Sequence, residues 1–174
     1  MEESDRIKAL IKGDGKAQKW FYDRFAPGVY AICLRYMPTV TDAEDLLIES
    51  LFKAMDKIGQ YKGEGSLEGW VKRVAVRECL MALRKKKEWH FEEGAEEHLQ
   101  DYRVSADEQL QMEDLLNLIS QLPEGYRTIF QLYEIEGYKH REIAELLDIS
   151  IHTSKSQLIM ARKRLQKMIN EREL

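Results

Sequence analysis

Apolar residues along this chain recur every three to four positions, and the strict apolar–polar alternation of a half-buried strand is nearly absent. The pattern predicts an all-α protein. In the first half, a helix is expected from about Lys16 to Met37, interrupted at Ala26-Pro27-Gly28 because a proline disfavours helical geometry in the residue before it. Thr41-Asp42-Ala43-Glu44 has the form of a capping box. It would open a helix through Leu47, Leu51, Ala54, Met55 and Ile58, with Gly59 placed to stop it. Ser66 is placed to cap a third helix with Leu67, Trp70, Val71, Val74, Ala75, Leu80 and Leu83 on or beside its buried face. Periodicity then fades. A second capping box, Ser105-Ala106-Asp107-Glu108, would open a helix to about Leu122, and further helices come after Pro123-Glu124, Lys139 and Ser150. Two small helical domains, 1–88 and 105–174, joined by a linker over 89–104, are expected.

The stretch HREIAELLDISIHTSKSQLIMARKRL, His140 to Leu165, narrows the fold further. Ile143, Ala144, Leu146 and Leu147 give a short helix one apolar face. Asp148-Ile149-Ser150 reads as the turn, since aspartate tolerates a left-handed backbone and Ser150 can cap the next helix. That second helix places Ile151, Ser154, Leu158, Ala161, Leu165 and Met168 on an inward seam. His152, Ser156, Ile159, Met160, Lys163 and Lys167 face outward, with Lys155 and Arg162 along one edge. An ordinary helical hairpin with a solvated charged face would share part of this pattern. The short turn, the small Ala144 at the helix contact and the basic clustering favour a helix-turn-helix that presents its second helix to the DNA major groove, where Ile159 and Met160 suit thymine methyl groups.

The net charge of −4 alone argues against a nucleic-acid partner, but its distribution reverses that inference. Ten of the 31 acidic residues lie between Glu88 and Asp114, where there is one basic residue, Arg103. The flanks hold local basic clusters, among them Arg84-Lys85-Lys86-Lys87. Cys33 and Cys79 fall in helical apolar patterns and read as reduced core residues. The four histidines lack metal-ligand spacing, so no metal or other cofactor is expected. With no apolar run near the roughly 20 residues of a membrane span and no signal-peptide pattern, the expected location is the cytoplasm. No glycine-rich phosphate loop, nucleophile elbow or metal cluster points to an enzyme.

LPEGYRTIFQLYEIEGYKHREIAELLDISIHTSKSQLIMARKRL resembles region 4 of bacterial RNA polymerase sigma factors of the extracytoplasmic-function (ECF) group, in the sigma-70 family. YDRFAPGVYAICLRYM, DAEDLLIESLFKAM and YKGEGSLEGWVKRVAVRECLMALRKK are similar to their region 2. The resemblance implies a sigma factor that binds core RNA polymerase and directs initiation at promoters with −10 and −35 elements. It implies that Asp42, Glu44, Asp45, Leu46, Ile48, Glu49 and Phe52 meet the beta-prime clamp helices of the polymerase. The acids suit a basic partner, with Leu46, Ile48 and Phe52 as apolar anchors. Part of that acidity also serves the helix N-terminus. The family usually has glutamine at Ile48.

For the −10 element, the resemblance points to the loop Tyr61–Ser66 and the helix after it. Tyr61 or Trp70 would offer an aromatic face, although Trp70 is as well suited to the core. Lys62, Lys72, Arg73 and Arg77 would contact the strand, with Arg84, Lys85, Lys86 and Lys87 gripping phosphates. Arg77 stands where asparagine is common. For the −35 element, Lys155, Ser156, Ile159 and Met160 would face the groove and His152, Thr153, Arg162 and Lys163 the phosphates; Ile151-His152 replaces the usual Glu-Gly. The beta flap of the polymerase, promoter DNA and an anti-sigma factor are the implied partners, with no small-molecule substrate, and the free chain is expected to be a monomer or 1:1 with the anti-sigma factor. In the family the interdomain segment enters the active-centre cleft, where an acidic strand would mimic RNA; plain solvation of a tether accounts for the same acids. The competing function is a stand-alone helix-turn-helix regulator that needs no polymerase, which leaves the first half of the chain unexplained.

Overall fold

The computed structural model describes residues 2–86 and 112–172, all-helical apart from short turns. The chain divides into two compact units, Met1–Glu88 and Trp89–Leu174. In the first, α1 (Glu3–Ile11), α2 (Gly15–Tyr36), α3 (Val40–Asp56) and α4 (Leu67–Lys86) are joined by short loops, with a 3₁₀ turn at Ile58–Gln60. Helices α2, α3 and α4 pack on one another pairwise, and α1 lies against α2 and the 3₁₀ turn. Their shared interior holds Phe21, Ile32, Leu51, Leu67 and Val71, all under 2% exposed. Burying a side chain of this size contributes roughly 1.5–3 kcal/mol. None of the described helices is long and apolar enough to cross a membrane.

Two expectations need correction here. Helix α2 passes through Pro27 without a break. Proline removes the amide that would bond to the Asp23 carbonyl, a cost of about 3 kcal/mol. Phe21, Phe25 and Ala26 before it and Val29, Ile32 and Cys33 after it are all buried, and the helix must be continuous for both sets to reach one core. The cap of α3 is Thr39, not Thr41: Thr39 Oγ1 accepts from the Asp42 amide at 3.1 Å and donates to Asp42 Oδ2 at 2.7 Å. Pro38 sets the start, and Thr41 lies one residue inside the helix. On α4 the buried line is Leu67, Val71, Ala75, Val76, Cys79, Leu80 and Leu83, with Trp70 and Val74 half-buried beside it, as expected. Ser66 does cap it, accepting from the Gly69 amide at 3.0 Å. Cys33 and Cys79 are free and buried. A hydrogen bond from Cys79 holds the Cys33 thiol below its ordinary pKa against the opposite push of burial.

The second unit contains α5 (Met112–Ser120), α6 (Glu124–Phe130), which runs into a π-helical turn at Gln131–Ile135, α7 (His140–Leu147) and α8 (Ile151–Arg172). Helices α5, α6 and α7 all pack on α8. The Ser105 capping box lies outside the described residues. Asp148 closes α7 in the left-handed region, φ 56°, and Ser150 caps α8 by accepting from the Thr153 amide at 2.9 Å, both as the sequence pattern predicts. The inward seam is Ser154, Gln157, Leu158, Ala161, Leu165 and Ile169. Ile151, expected to begin it, is 45% exposed, and Met168 is half-buried because the straight 3.6-residue repeat rotates the seam onto Ile169.

Candidate functional site

Three surfaces carry the residues that the sequence singles out. The first is α3. Its cap leaves Asp42 half-buried and bonded to Thr39, while Glu44, Asp45 and Glu49 project into solvent. Between them Ile48 is 56% and Phe52 70% exposed, an apolar stripe one turn apart on an acidic helix. Leu46, expected among the apolar anchors, is 5% exposed and belongs to the core; two positions before Ile48, it falls on the opposite side of a 3.6-residue repeat. Beyond Phe52 the stripe ends in a hollow of about 440 Å³ lined by Ile11, Phe52, Met55 and Ile58.

The second surface is the loop before α4 and the helix itself. Gly63 and Gly65 have φ near +78° and +75°, a backbone that side chains with a Cβ rarely adopt, and they turn the loop back on itself. Tyr61 Oη donates to the Gly65 carbonyl at 2.7 Å and its ring lies 5.9 Å from that of Trp70, so the two aromatics are half-buried against each other. Lys62 is exposed. Lys72 is tied to its own helix, Nζ 2.8 Å from Glu68 Oε1, with Arg24 Nη2 3.6 Å from the other oxygen. The Lys72 hydrogen bond and charge, then Arg24, hold the Glu68 carboxyl below the usual carboxylate range. Arg73, Arg77 and Arg84 are exposed at helical spacing, with the 49%-exposed Met81 among them, and Lys85 sits at the end. Together they form a cationic stripe down one side of α4. Lys86 ends the helix; Lys87 lies outside the described residues.

The third surface is α8. His152 and Lys155 are exposed, and Ser156, Ile159, Met160 and Lys163 are half-buried. The Thr153 hydroxyl bonds to that of Ser150 at 2.8 Å, and Ser156 Oγ donates to the Thr153 carbonyl at 3.1 Å, so both serve the first turn of the helix. Arg162 turns inward: its side chain is 15% exposed, Nε and Nη2 donate to Glu134 Oε1 at 2.9 and 2.6 Å, and it stands 5.9 Å over the Tyr133 ring. Beside it His140 stacks on Tyr133 at 4.4 Å and bonds through Nδ1 to Ser154 Oγ at 2.9 Å. Burial pushes the His140 pKa down from 6.5, helped by Lys155 and Arg162 and opposed by Glu134. Sequence reasoning misses this network, although Ser154 on a largely apolar seam signals that a buried hydroxyl needs a partner. Among the described residues there is no group of three metal-ligating side chains.

Residues 21–88 match the family described as Sigma-70 region 2, and residues 112–165 match Sigma-70, region 4. The ECF RNA polymerase sigma factor SigW of Bacillus subtilis is 28% identical over 95% of this chain and 96% of its own. The ECF RNA polymerase sigma-E factor of Haemophilus influenzae is 29% identical over 94% of this chain and 93% of its own. Among solved structures, the sigma factor RpoE of Bartonella quintana, crystallised with the anti-sigma factor NepR, superposes with a TM-score of 0.58 at 23% identity, covering 87% of this chain and 96% of that one. CnrH, solved with the cytosolic domain of CnrY, gives 0.54 at 14% identity over 95% of this chain and 96% of that one. At these identities the two structures support the fold.

Proposed function

The chain belongs to the ECF group of the sigma-70 family, and from that premise we propose how its two units divide the work of a sigma factor. It binds core RNA polymerase and directs promoter-specific initiation. The observation that carries this reading is the presence, in order, of a region 2 match and a region 4 match, each falling within its own compact unit. A stand-alone regulator would need only the second.

In the first unit, α3 is the polymerase-docking helix. Ile48 and Phe52 supply apolar contact to the beta-prime clamp helices, and Glu44, Asp45 and Glu49 supply complementary charge. The loop Tyr61–Ser66 and the cationic stripe of α4 hold the −10 element. The stripe follows the phosphates through Arg73, Arg77, Arg84 and Lys85, while Lys72 answers chiefly to Glu68. Tyr61 and Trp70, packed together, form one aromatic wall for an unpaired base. In the second unit, α8 reads the −35 element through Lys155, Ser156, Ile159 and Met160, with His152 and Lys163 toward the backbone. Its contribution is binding, and bond-making stays with the polymerase. The two units gain affinity by being linked on one enzyme. An anti-sigma factor is the partner expected to cover the same surfaces when transcription is off.

Run-off transcription with core polymerase on a library of genomic promoters tests this. The chain should start transcripts at a restricted set sharing two spaced elements; a chain that fails to co-elute with core polymerase, or adds no selectivity to it, is not a sigma factor.

A further inference from the structure

Two of the polar contacts that fasten helix α8 to the rest of its unit lie eight residues apart. The first is Ser154, 0% exposed on a seam that is apolar apart from it and Gln157; the Ser154 Oγ lies 2.9 Å from Nδ1 of His140. The second is Arg162, whose guanidinium donates twice to Glu134 Oε1. Both lead to the same place. His140 is the first residue of α7 and lies flat on Tyr133, 4.4 Å between ring centres at 22°, while Tyr133 and Glu134 are neighbours in the π-helical turn after α6. The Arg162 guanidinium stands 5.9 Å from the same Tyr133 ring.

An apolar seam alone leaves a helix some freedom to roll and slide, because dispersion contacts lack direction. Hydrogen bonds have direction, and two of them separated by about 12 Å of helix axis restrict both roll and register. Short π-helical turns often mark functional positions, and here the turn brings consecutive residues 133 and 134 to the two anchor points. Lys155 and Ser156, the proposed groove-facing residues, directly succeed the first anchor, so a small rotation at Ser154 would carry them off the base edges. We infer that Tyr133, Glu134 and His140 form a platform that sets the seat of the recognition helix, and that His140, acting through Ser154, is a positioning residue for −35 discrimination. Arg162 is then a strut between α8 and the platform. This rests on the sigma-factor reading above.

The test uses the full chain assembled with core polymerase. One DNA duplex carries the −35 sequence recovered by run-off selection, and a second carries the same bases shuffled. His140→Phe keeps a ring on Tyr133 and removes the bond; Ser154→Ala removes it from the other side. Each is expected to reduce the preference for the selected duplex about tenfold, and the double variant to lose little more, because both delete one interaction. His140→Asn, which puts a polar atom near the place of Nδ1, should recover part of the preference. Affinity for the shuffled duplex and its salt slope should stay as in the parent. Glu134→Ala, at a partly exposed position, should lower discrimination in the same direction, with urea denaturation read alongside because it removes a carboxylate that the mostly buried Arg162 donates to. Unchanged preference in His140→Phe, Ser154→Ala and Glu134→Ala overturns the inference, as does an equal loss on both duplexes. A parent holoenzyme that does not prefer the selected duplex would instead overturn the sigma-factor reading itself.

Discussion

At the scale of single residues, two side chains make opposite kinds of prediction. His140 is held neutral by burial and by the nearby charges of Lys155 and Arg162, so its folded-state pKa lies below the 6.5 of the free group. Between those two values the unfolded chain binds more protons than the folded one, and stability therefore rises with pH across that window. Acidification below pH 6.5 should weaken the second unit progressively. His140→Asn should flatten that part of the slope, as measured by urea denaturation at a series of pH values; an identical slope in the variant contradicts the assignment. On the outer side of α8, Lys155 and Lys163 should act differently on DNA. Loss of Lys155 at a base edge is expected to cost about 1–3 kcal/mol on the selected sequence and to relax preference there. Loss of Lys163 should weaken all sequences alike and lower the salt slope by about one. Binding titrations on specific and random duplexes at several salt concentrations separate the two, and indistinguishable effects would remove the distinction.

At the scale of elements, α3 shows what the pattern of residues can and cannot reveal. Thr39→Ala should destabilise the first unit by about 0.5–2 kcal/mol, because it deletes the oxygen that accepts the Asp42 amide. Thr41→Ala, inside the helix and exposed, should change stability by no more than about 0.5 kcal/mol. Denaturant midpoints of the two variants check this directly. Both threonines head a plausible cap sequence, and sequence alone cannot choose between them; Pro38 and the need for Ala43, Leu46 and Leu47 to turn inward together select the earlier one. Pro27 carries a correct local preference that tertiary packing overrides, since buried residues on either side require one continuous helix. The turn Asp148–Ser150 is legible because it depends on local chemistry, a left-handed aspartate and a serine cap. The tie of His140 to Ser154 is not, because it joins residues 14 apart through a helix crossing. On α3's outer face, Phe52→Ser should reduce affinity for core polymerase while leaving the fold intact, since that ring is 70% exposed and contributes little to the core. Co-elution with core polymerase reads the loss, and full retention would move the docking surface elsewhere.

At the scale of the whole molecule, the charge distribution must serve two units that both meet nucleic acid. A net charge of −4 with ten acids between Glu88 and Asp114 means that the rest of the chain is cationic on balance. The cationic excess lies in residues 1–87, with 17 basic against 13 acidic, whereas residues 115–174 are nearly balanced, 9 against 8, so attraction to DNA there is local to the basic edge of α8 and the segment between repels a polyanion. If the segment enters the cleft that holds RNA, as the family resemblance implies, an acidic strand there would occupy the same positive surface and yield as the transcript grows. Replacing Glu92, Glu93, Glu96 and Glu97 with glutamine removes four charges without changing side-chain length. If the segment competes with the transcript by charge, the substituted holoenzyme should bind the promoter as before yet release a different distribution of short abortive products. If the acids serve only to keep a tether solvated, promoter affinity and abortive pattern should both match the parent. Measuring the two on one template decides between them, because DNA binding reports the helical surfaces and the abortive ladder reports the path that the transcript must clear.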